Sequence, residues 1–147
     1  MDRSDFEIRP FLDGDQAAVV ELWEEVFAGD PPWNAPAEMI RRKKTVQPEL
    51  FLVAHSQEKV IGTVLAGFDG VRGWIHHLAV SPSQRRGGVA TRLMQAAEDR
   101  LVKLGCPKVN LQVRSTNAGV IAFYRAVGYE VEERVSMGKR LADPREL

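Results

Sequence analysis

Ala18, Val19, Leu22, Trp23 and Val26 recur at the three-and-four spacing of one buried helical face, which predicts a helix over residues 15–27 with Asp13 as its cap. Ahead of it, residues 6–9 alternate as a short strand that Pro10 ends, because proline lacks the N–H a ladder needs. Gly29-Asp30-Pro31-Pro32 breaks the helix. Pro36 opens a second one, basic through Arg41-Arg42-Lys43-Lys44 and finished before Pro48, whose charges are expected to be solvated. The period then changes. Residues 50–55 and 60–68 read as strands joined by the polar turn Gln57-Glu58-Lys59, and residues 74–80 as a third that stops at Ser81-Pro82. After Gly87-Gly88, the positions Val89, Leu93, Ala96, Ala97, Leu101 and Leu104 predict a helix with Gly105 as its stop. A strand over 108–113, a shorter helix from Asn117 to Gly128, and a closing hairpin of 129–133 with 134–141 complete the order. No repeat, low-complexity tract or linker divides the chain, so residues 1–147 read as one mixed α/β domain.

Composition narrows what such a domain does. A chain of 147 residues is the usual size of one domain with one core. Twenty Lys plus Arg balance twenty Asp plus Glu, so no global field draws it onto nucleic acid or an anionic membrane, and any anion site must be local. The basic run at 41–44 has no interleaved aromatics, which leaves a nucleic-acid module a poor fit. Cys106 is the single cysteine, and no His or Cys cluster has metal-ligand spacing, so neither a disulfide framework nor a metal is expected. The first residues mix both charge signs, and no run approaches the roughly 18 apolar residues of a membrane span. A cytoplasmic protein without a membrane partner is the expectation.

The chemistry concentrates where the third strand runs through glycines into a helix: Leu78-Ala79-Val80-Ser81-Pro82-Ser83-Gln84-Arg85-Arg86-Gly87-Gly88-Val89-Ala90. Such a junction leaves the first helical N–H groups without carbonyl partners at the positive end of the helix dipole. Small residues at 87, 88 and 90 let a pyrophosphate approach the backbone, and Arg85 and Arg86 add charge. A Walker loop would need Gly-Lys followed by Ser or Thr, but Gly88 is followed by Val89-Ala90. A dinucleotide fingerprint belongs at the first strand-to-helix turn, and this turn comes late.

Arg85-x-x-Gly88-x-Ala90 resembles the acetyl-coenzyme A signature of the GNAT (Gcn5-related N-acetyltransferase) superfamily. Asn117, Phe123-Tyr124 and Gly128-Tyr129 are similar to that family's downstream pattern. Pro32-Trp33-Asn34, Phe68-Asp69-Gly70 with Arg72-Gly73, Gly105-Cys106-Pro107-Lys108 and Gly138-Lys139-Arg140-Leu141 resemble the bacterial YpeA-type acetyltransferases, so the likeness covers nearly the whole chain. It implies the GNAT fold, a mixed and mostly antiparallel sheet flanked by helices on both faces and splayed beside Val80. It also implies transfer of an acetyl group from acetyl-CoA directly to an amine on a small molecule or peptide.

The resemblance also implies roles. The backbone of Leu78, Ala79 and Val80 would pair with the pantetheine arm. The amides of Arg85, Arg86, Gly87, Gly88, Val89 and Ala90 would hold the pyrophosphate, and Asn117 would touch the pantetheine side. Tyr124 would present its hydroxyl to the leaving sulfur, protonating it or donating a hydrogen bond to it. A backbone N–H at Val80 is a reasonable oxyanion donor, worth ~3 kcal/mol. The attacking amine must first lose a proton, yet the strand before the signature carries Trp74-Ile75-His76-His77 where many family members have Glu. His76 or His77 is the candidate base, and strand alternation is expected to send them to opposite faces; a water relay is the other route. Trp33, Asn34, Asp69 and Arg72 are candidates for the acceptor side.

Blander readings stand beside these. Tyr124 packs against Phe123 and Tyr129 in one of them, Asn117 only caps its helix, Arg72 is a surface charge and Cys106 is a small buried hydrophobe. A non-catalytic acyl-CoA-binding or sensing domain with the same fold is the alternative function, and a homodimer built by extending the closing hairpin is an expected assembly.

Overall fold

The structure is a computed structural model that describes residues 5–85 and 87–142. Arg86 therefore lies outside the described residues. The chain divides into two units, Met1–Leu111 and Gln112–Leu147. In the first, five strands form one sheet in chain order: β1 Glu7–Pro10, β2 Phe51–Ser56, β3 Lys59–Phe68, β4 Gly73–Val80 and β5 Val109–Leu111. The first four strands pair antiparallel and β5 runs parallel to β4. Helices α1 Gln16–Val26, α2 Pro36–Lys43 and α3 Val89–Lys103 belong to the same unit. This is the mixed, mostly antiparallel sheet that the resemblance implies, within the mixed α/β domain that the hydrophobic pattern predicts.

Two neighbouring residues of β3 show that helices cover both faces, because side chains alternate along a strand. Thr63 accepts the indole N–H of Trp23, on α1, at 2.8 Å. A Cβ on Gly62 would instead lie 3.0 Å from Leu93 Cδ1 and from Val89 Cγ1, both on α3, and 3.1 Å from the Ala79 carbonyl. Gly62 is therefore what lets α3 settle onto the sheet. On the α1 face, Val19, Leu22, Trp23, Ile40, Phe51, Val53, Leu65 and Ala79 share one buried cluster.

Two local expectations change for physical reasons. Pro10 ends β1 as its last residue, paired opposite Leu52, instead of lying beyond it. Phe11 donates its N–H to Phe51 at 2.8 Å, so the missing N–H of Pro10 falls on the outer edge, where no ladder bond is lost. Asp15, not Asp13, organises the start of α1. Its carboxylate accepts the Leu12 N–H at 2.9 Å and grips Arg9 through two bonds of 2.7 and 3.1 Å. The Arg9 guanidinium holds that carboxyl below its usual range.

In the second unit, α4 Ala118–Ala126 is capped by Asn117, whose side chain accepts the Val120 N–H at 3.3 Å. Among the described residues no strand follows Leu111, so the expected closing hairpin is not formed. Val131, Val135, Met137 and Leu141 are exposed. Without a buried apolar face, the alternation of 129–141 has nothing to fix a register. The strand expected over 108–113 likewise shortens to Val109–Leu111.

Candidate active site

The strand that leads into the glycine junction carries a defect of register. Thr63 faces Ala79 and Leu65 faces His76, so His77 and Leu78 together oppose the single residue Val64. His77 takes φ +48°, a left-handed conformation that side-chain-bearing residues rarely adopt. This bulge inverts the hydrogen-bonding phase of the strand. Gly73 donates its N–H toward β5, to the Lys108 carbonyl at 2.8 Å. Strict alternation from there would turn residue 81 toward β5 and residue 80 toward β3. Ser81 instead donates to Ile61 next to β3, at 2.8 Å, so the N–H and C=O of Val80 point away from β3. The pairing with β5 ends at Ile75 and Leu111, and among the described residues no strand pairs with 76–80 on that side. The splayed edge expected beside Val80 is thus the product of a short β5 and a bulge.

Past Ser81, a turn of 3-10 helix at Pro82–Gln84 leads to Gly87 and Gly88 and then to α3. Gly88 sits at φ +82°, where glycine is unstrained, and nothing lies within 4 Å of where its Cβ would be. Arg92 donates to the Gly88 carbonyl at 3.0 Å. The N–H groups of Val89, Ala90 and Thr91 precede that bond and have no helical acceptor, and among the described residues no side chain caps them. Arg85 is exposed on the approach. A run of free amides beside an open glycine suits an anionic group such as a pyrophosphate.

The two histidines share one face, which corrects the expectation from alternation. His76 lies opposite Leu65, a member of the cluster under α1, and His77 packs on Trp23 and Phe27 with ring centroids 4.8 and 4.4 Å away. The bulge between them uses up the alternation. Only 12% of the His77 side chain is exposed, and its Nε2 lies 3.8 Å from Asp30. Burial holds its imidazole down to about 4, Asp30 opposing in part. Burial first and the Lys43 charge second also lower His76, which is the more accessible of the two.

A depressed histidine has a consequence for stability. The unfolded chain, with an imidazole near about 6.5, binds a proton that the folded state refuses, so the His77 contribution is complete above that pH and is lost as the pH falls toward 4, by up to about 3 kcal/mol. Urea midpoints measured from pH 7 to 4.5 should fall in the parent and fall less in His77→Gln. An equal slope in the two proteins would show that His77 is not the group responsible. His76 adds a slope of the same sign, which the variant keeps.

Of the acceptor candidates, Asp69 is engaged in its own turn. Its Oδ1 accepts the N–H groups of Val71 and Arg72, both at 2.8 Å, and the Arg72 amide, with that of Val71, lowers the carboxyl. Arg72 is exposed, and its guanidinium donates to the Val71 carbonyl at 3.0 Å. Trp33 and Asn34 form a short turn ahead of α2, with Trp33 40% exposed. The helix between these two places is tied to the end of β3. Lys43 donates to the Ala66 carbonyl at 2.6 Å, and the Gln47 side chain exchanges two hydrogen bonds with the Phe68 backbone.

The expectation of a solvated basic helix therefore holds for half of the run. Arg41 pairs with Glu38 and Lys44 with Asp13 at the surface. Arg42 and Lys43 turn inward, and burial lowers the Lys43 ammonium. Among the described residues, Arg42 Nη1 is buried without a hydrogen-bond partner, while its Nη2 lies 3.5 Å from the Trp33 carbonyl. Consecutive helical residues lie about 100° apart, so a four-residue run wraps the helix and cannot be wholly solvated. Thr63, Asp30, Lys43 and Gln47 are the site-bordering residues that sequence reasoning missed.

In the second unit, Tyr124 is buried beside Phe123 and Tyr129, in edge contacts of 5.2 and 5.7 Å. Burial pushes its hydroxyl up to about 12, so it keeps its proton at neutral pH and remains a donor.

The profile of the acetyltransferase (GNAT) family matches residues 17–129. The chain belongs to the GNAT family. An acetyltransferase of Pectobacterium atrosepticum is 41% identical to it over 140 residues, covering 95% of this chain and 99% of that one. Among solved structures, Ard1 from Thermoplasma volcanium is similar with a TM-score of 0.79 and 25% identity, over 87% of this chain and 84% of that one. AAC(6′)-Iy, solved in complex with the bisubstrate analog CoA-S-monomethyl-acetylneamine, shares the fold with a TM-score of 0.78 at 20% identity, over 95% of this chain and all of its own.

The five-stranded sheet with helices on both faces is thus a GNAT sheet, and the protein is an acetyltransferase. The donor this family uses is acetyl-CoA. The observations from this GNAT chain that suit such a donor are the open glycine at 88, the uncapped amides of α3 and the phase-inverted edge of β4. No described helix is long and apolar enough to cross a membrane.

Proposed function

We propose that this GNAT protein moves the acetyl group of acetyl-CoA directly to an amine, as one catalytic domain spanning residues 1–147. The observation that carries this reading is the inverted edge of β4 running into an uncapped helix, which puts hydrogen-bonding backbone and free amides in succession along residues 78–90. The family profile crosses the boundary between the two units, which supports the single-domain reading.

In this mechanism the amides of Arg85, Arg86, Gly87, Gly88, Val89 and Ala90 hold the pyrophosphate, and Leu78, Ala79 and Val80 pair through their backbone with the pantetheine arm, which Asn117 also contacts. The donor, when bound, supplies a thioester whose carbonyl gains negative charge as the amine attacks. The Val80 N–H stabilises that charge. Tyr124, protonated because it is buried, donates to the departing sulfur. His76 is the better placed base, being accessible and neutral at pH 7, while His77 is buried and a weaker proton acceptor. Trp33, Asn34, Asp69 and Arg72 border the acceptor. The amine belongs to a small molecule or a peptide; amino sugars join the panel because a structural neighbour was solved with such an analog.

The protein is further proposed to be cytoplasmic, with neither nucleic acid nor membrane as partner, and to self-associate as a homodimer. The expected dimer relied on a closing hairpin that is not formed. Exposed Val135, Met137 and Leu141 support self-association in its place, to be checked by sedimentation.

Calorimetry with acetyl-CoA, followed by thiol-release assays across an amine panel, tests the reading. Tyr124→Phe should leave acetyl-CoA affinity within about threefold and lower turnover by about 10- to 100-fold, below the full range for a proton donor because a thiolate is already a fair leaving group. Unchanged turnover would remove Tyr124 from the mechanism. Tight binding without thiol release from any amine would favour the non-catalytic acyl-CoA-binding alternative, which the absence of a carboxylate on β4 already supports.

A further inference from the structure

The left-handed bulge of β4 is held from beneath by two side chains of other elements. Trp23 Nε1 donates to Thr63 Oγ1 at 2.8 Å, and Thr63 Oγ1 donates to the His77 carbonyl at 3.0 Å. Trp23 is 1% exposed and Thr63 not at all. The chemistry fixes the direction of the relay. An indole N–H can only donate, so the Thr63 hydroxyl receives it, and its own proton is the one available to the His77 carbonyl. That carbonyl belongs to a residue whose place in the ladder the bulge has removed, and a buried carbonyl needs a donor. The hydroxyl takes the place of the lost strand partner.

We infer that Trp23 and Thr63 are positioning residues, holding the β4 bulge so that the Val80 amide faces away from the sheet toward the pantetheine arm of the donor. This rests on the acetyl-CoA reading of the site, and it names what sets the geometry there. Without the bulge the phase established at Gly73 would continue, and the Val80 N–H would turn inward to β3. Among the described residues, no hydrogen bond joins Trp23 or Thr63 to Arg85 or to residues 87–90, so the relay should act on one end of the donor only.

The test compares two ligands by calorimetry, acetyl-CoA and 3′-phosphoadenosine 5′-diphosphate, which keeps the phosphates and lacks the pantetheine arm. Thr63→Val keeps the shape of the side chain and removes the hydroxyl, leaving the Trp23 N–H and the His77 carbonyl both unpaired. It should weaken acetyl-CoA about tenfold or more and the nucleotide less than about twofold. Thr63→Ser, which restores the hydroxyl, should recover acetyl-CoA affinity to within about threefold of the parent. Equal losses for both ligands, or parental affinity in Thr63→Val, would overturn the inference, since general destabilisation does not distinguish the two ends of the donor. If Thr63→Val does not fold, Thr63→Ala, which also removes the hydroxyl that donates to the His77 carbonyl, carries the same comparison under the same criteria. A parent that binds the nucleotide and not acetyl-CoA would sink the acetyl-CoA reading itself, a result the variants cannot produce.

Discussion

Gly88→Glu is expected to lower acetyl-CoA affinity by at least about 100-fold, which is close to 3 kcal/mol. Two effects act together. The first is charge: a carboxylate at the N-terminus of α3 competes for the uncapped amides and repels the phosphates they would hold. The second is conformation, since Gly88 lies at φ +82° and a residue with a Cβ is strained there by about 1–2 kcal/mol. Space is not the obstacle, because nothing lies within 4 Å of the added Cβ. Gly88→Asn separates the two, as asparagine tolerates the left-handed region and carries no charge. It should cost less than about tenfold. The measurement is calorimetry alongside thermal melting, and an affinity for Gly88→Glu within threefold of the parent would place the phosphates elsewhere.

Trp23→Ala should destabilise the fold by about 3–5 kcal/mol, the usual range for emptying a buried aromatic site. Trp23 is 1% exposed, stacks on Phe51 at 5.8 Å, meets the His77 ring and donates to Thr63. Domains of this size are stable by only about 5–15 kcal/mol, so the variant should unfold at markedly lower urea and run close to the threshold for expression. Trp33→Ala is the comparison, with the same atoms deleted from a side chain that is 40% exposed, and should cost under about 1 kcal/mol. If both substitutions cost the same, the burial assigned to α1 is wrong.

Periodicity recovered what burial enforces. Val19, Leu22 and Trp23 of α1 and Val89, Leu93, Ala97 and Leu101 of α3 are all buried, because an amphipathic helix must turn its apolar stripe to a sheet. Leu104, placed on that stripe by spacing, is 46% exposed since α3 ends at Lys103. The glycine junction was legible for a different reason: a backbone that must take positive φ favours glycine, and Gly88 takes φ +82°. The bulge was not legible. His77 in a left-handed conformation has no residue-level signature, and the relay that supports it joins residues 23, 63 and 77, far apart in the chain. The same blindness to long-range partners made Arg42 and Lys43 look solvated and residues 129–141 look like a hairpin.

The contact between Trp23 and His77 also gives the molecule an optical property. An indole's emission responds to the electric field along its ring, and the His77 ring sits 4.8 Å from that of Trp23, at the bend of the strand. A proton gained by that imidazole, or a shift in the bend, changes the field at the chromophore. With Trp33 and Trp74 replaced by phenylalanine, the remaining emission would report the state of β4 in the folded variant, without an added label and in real time.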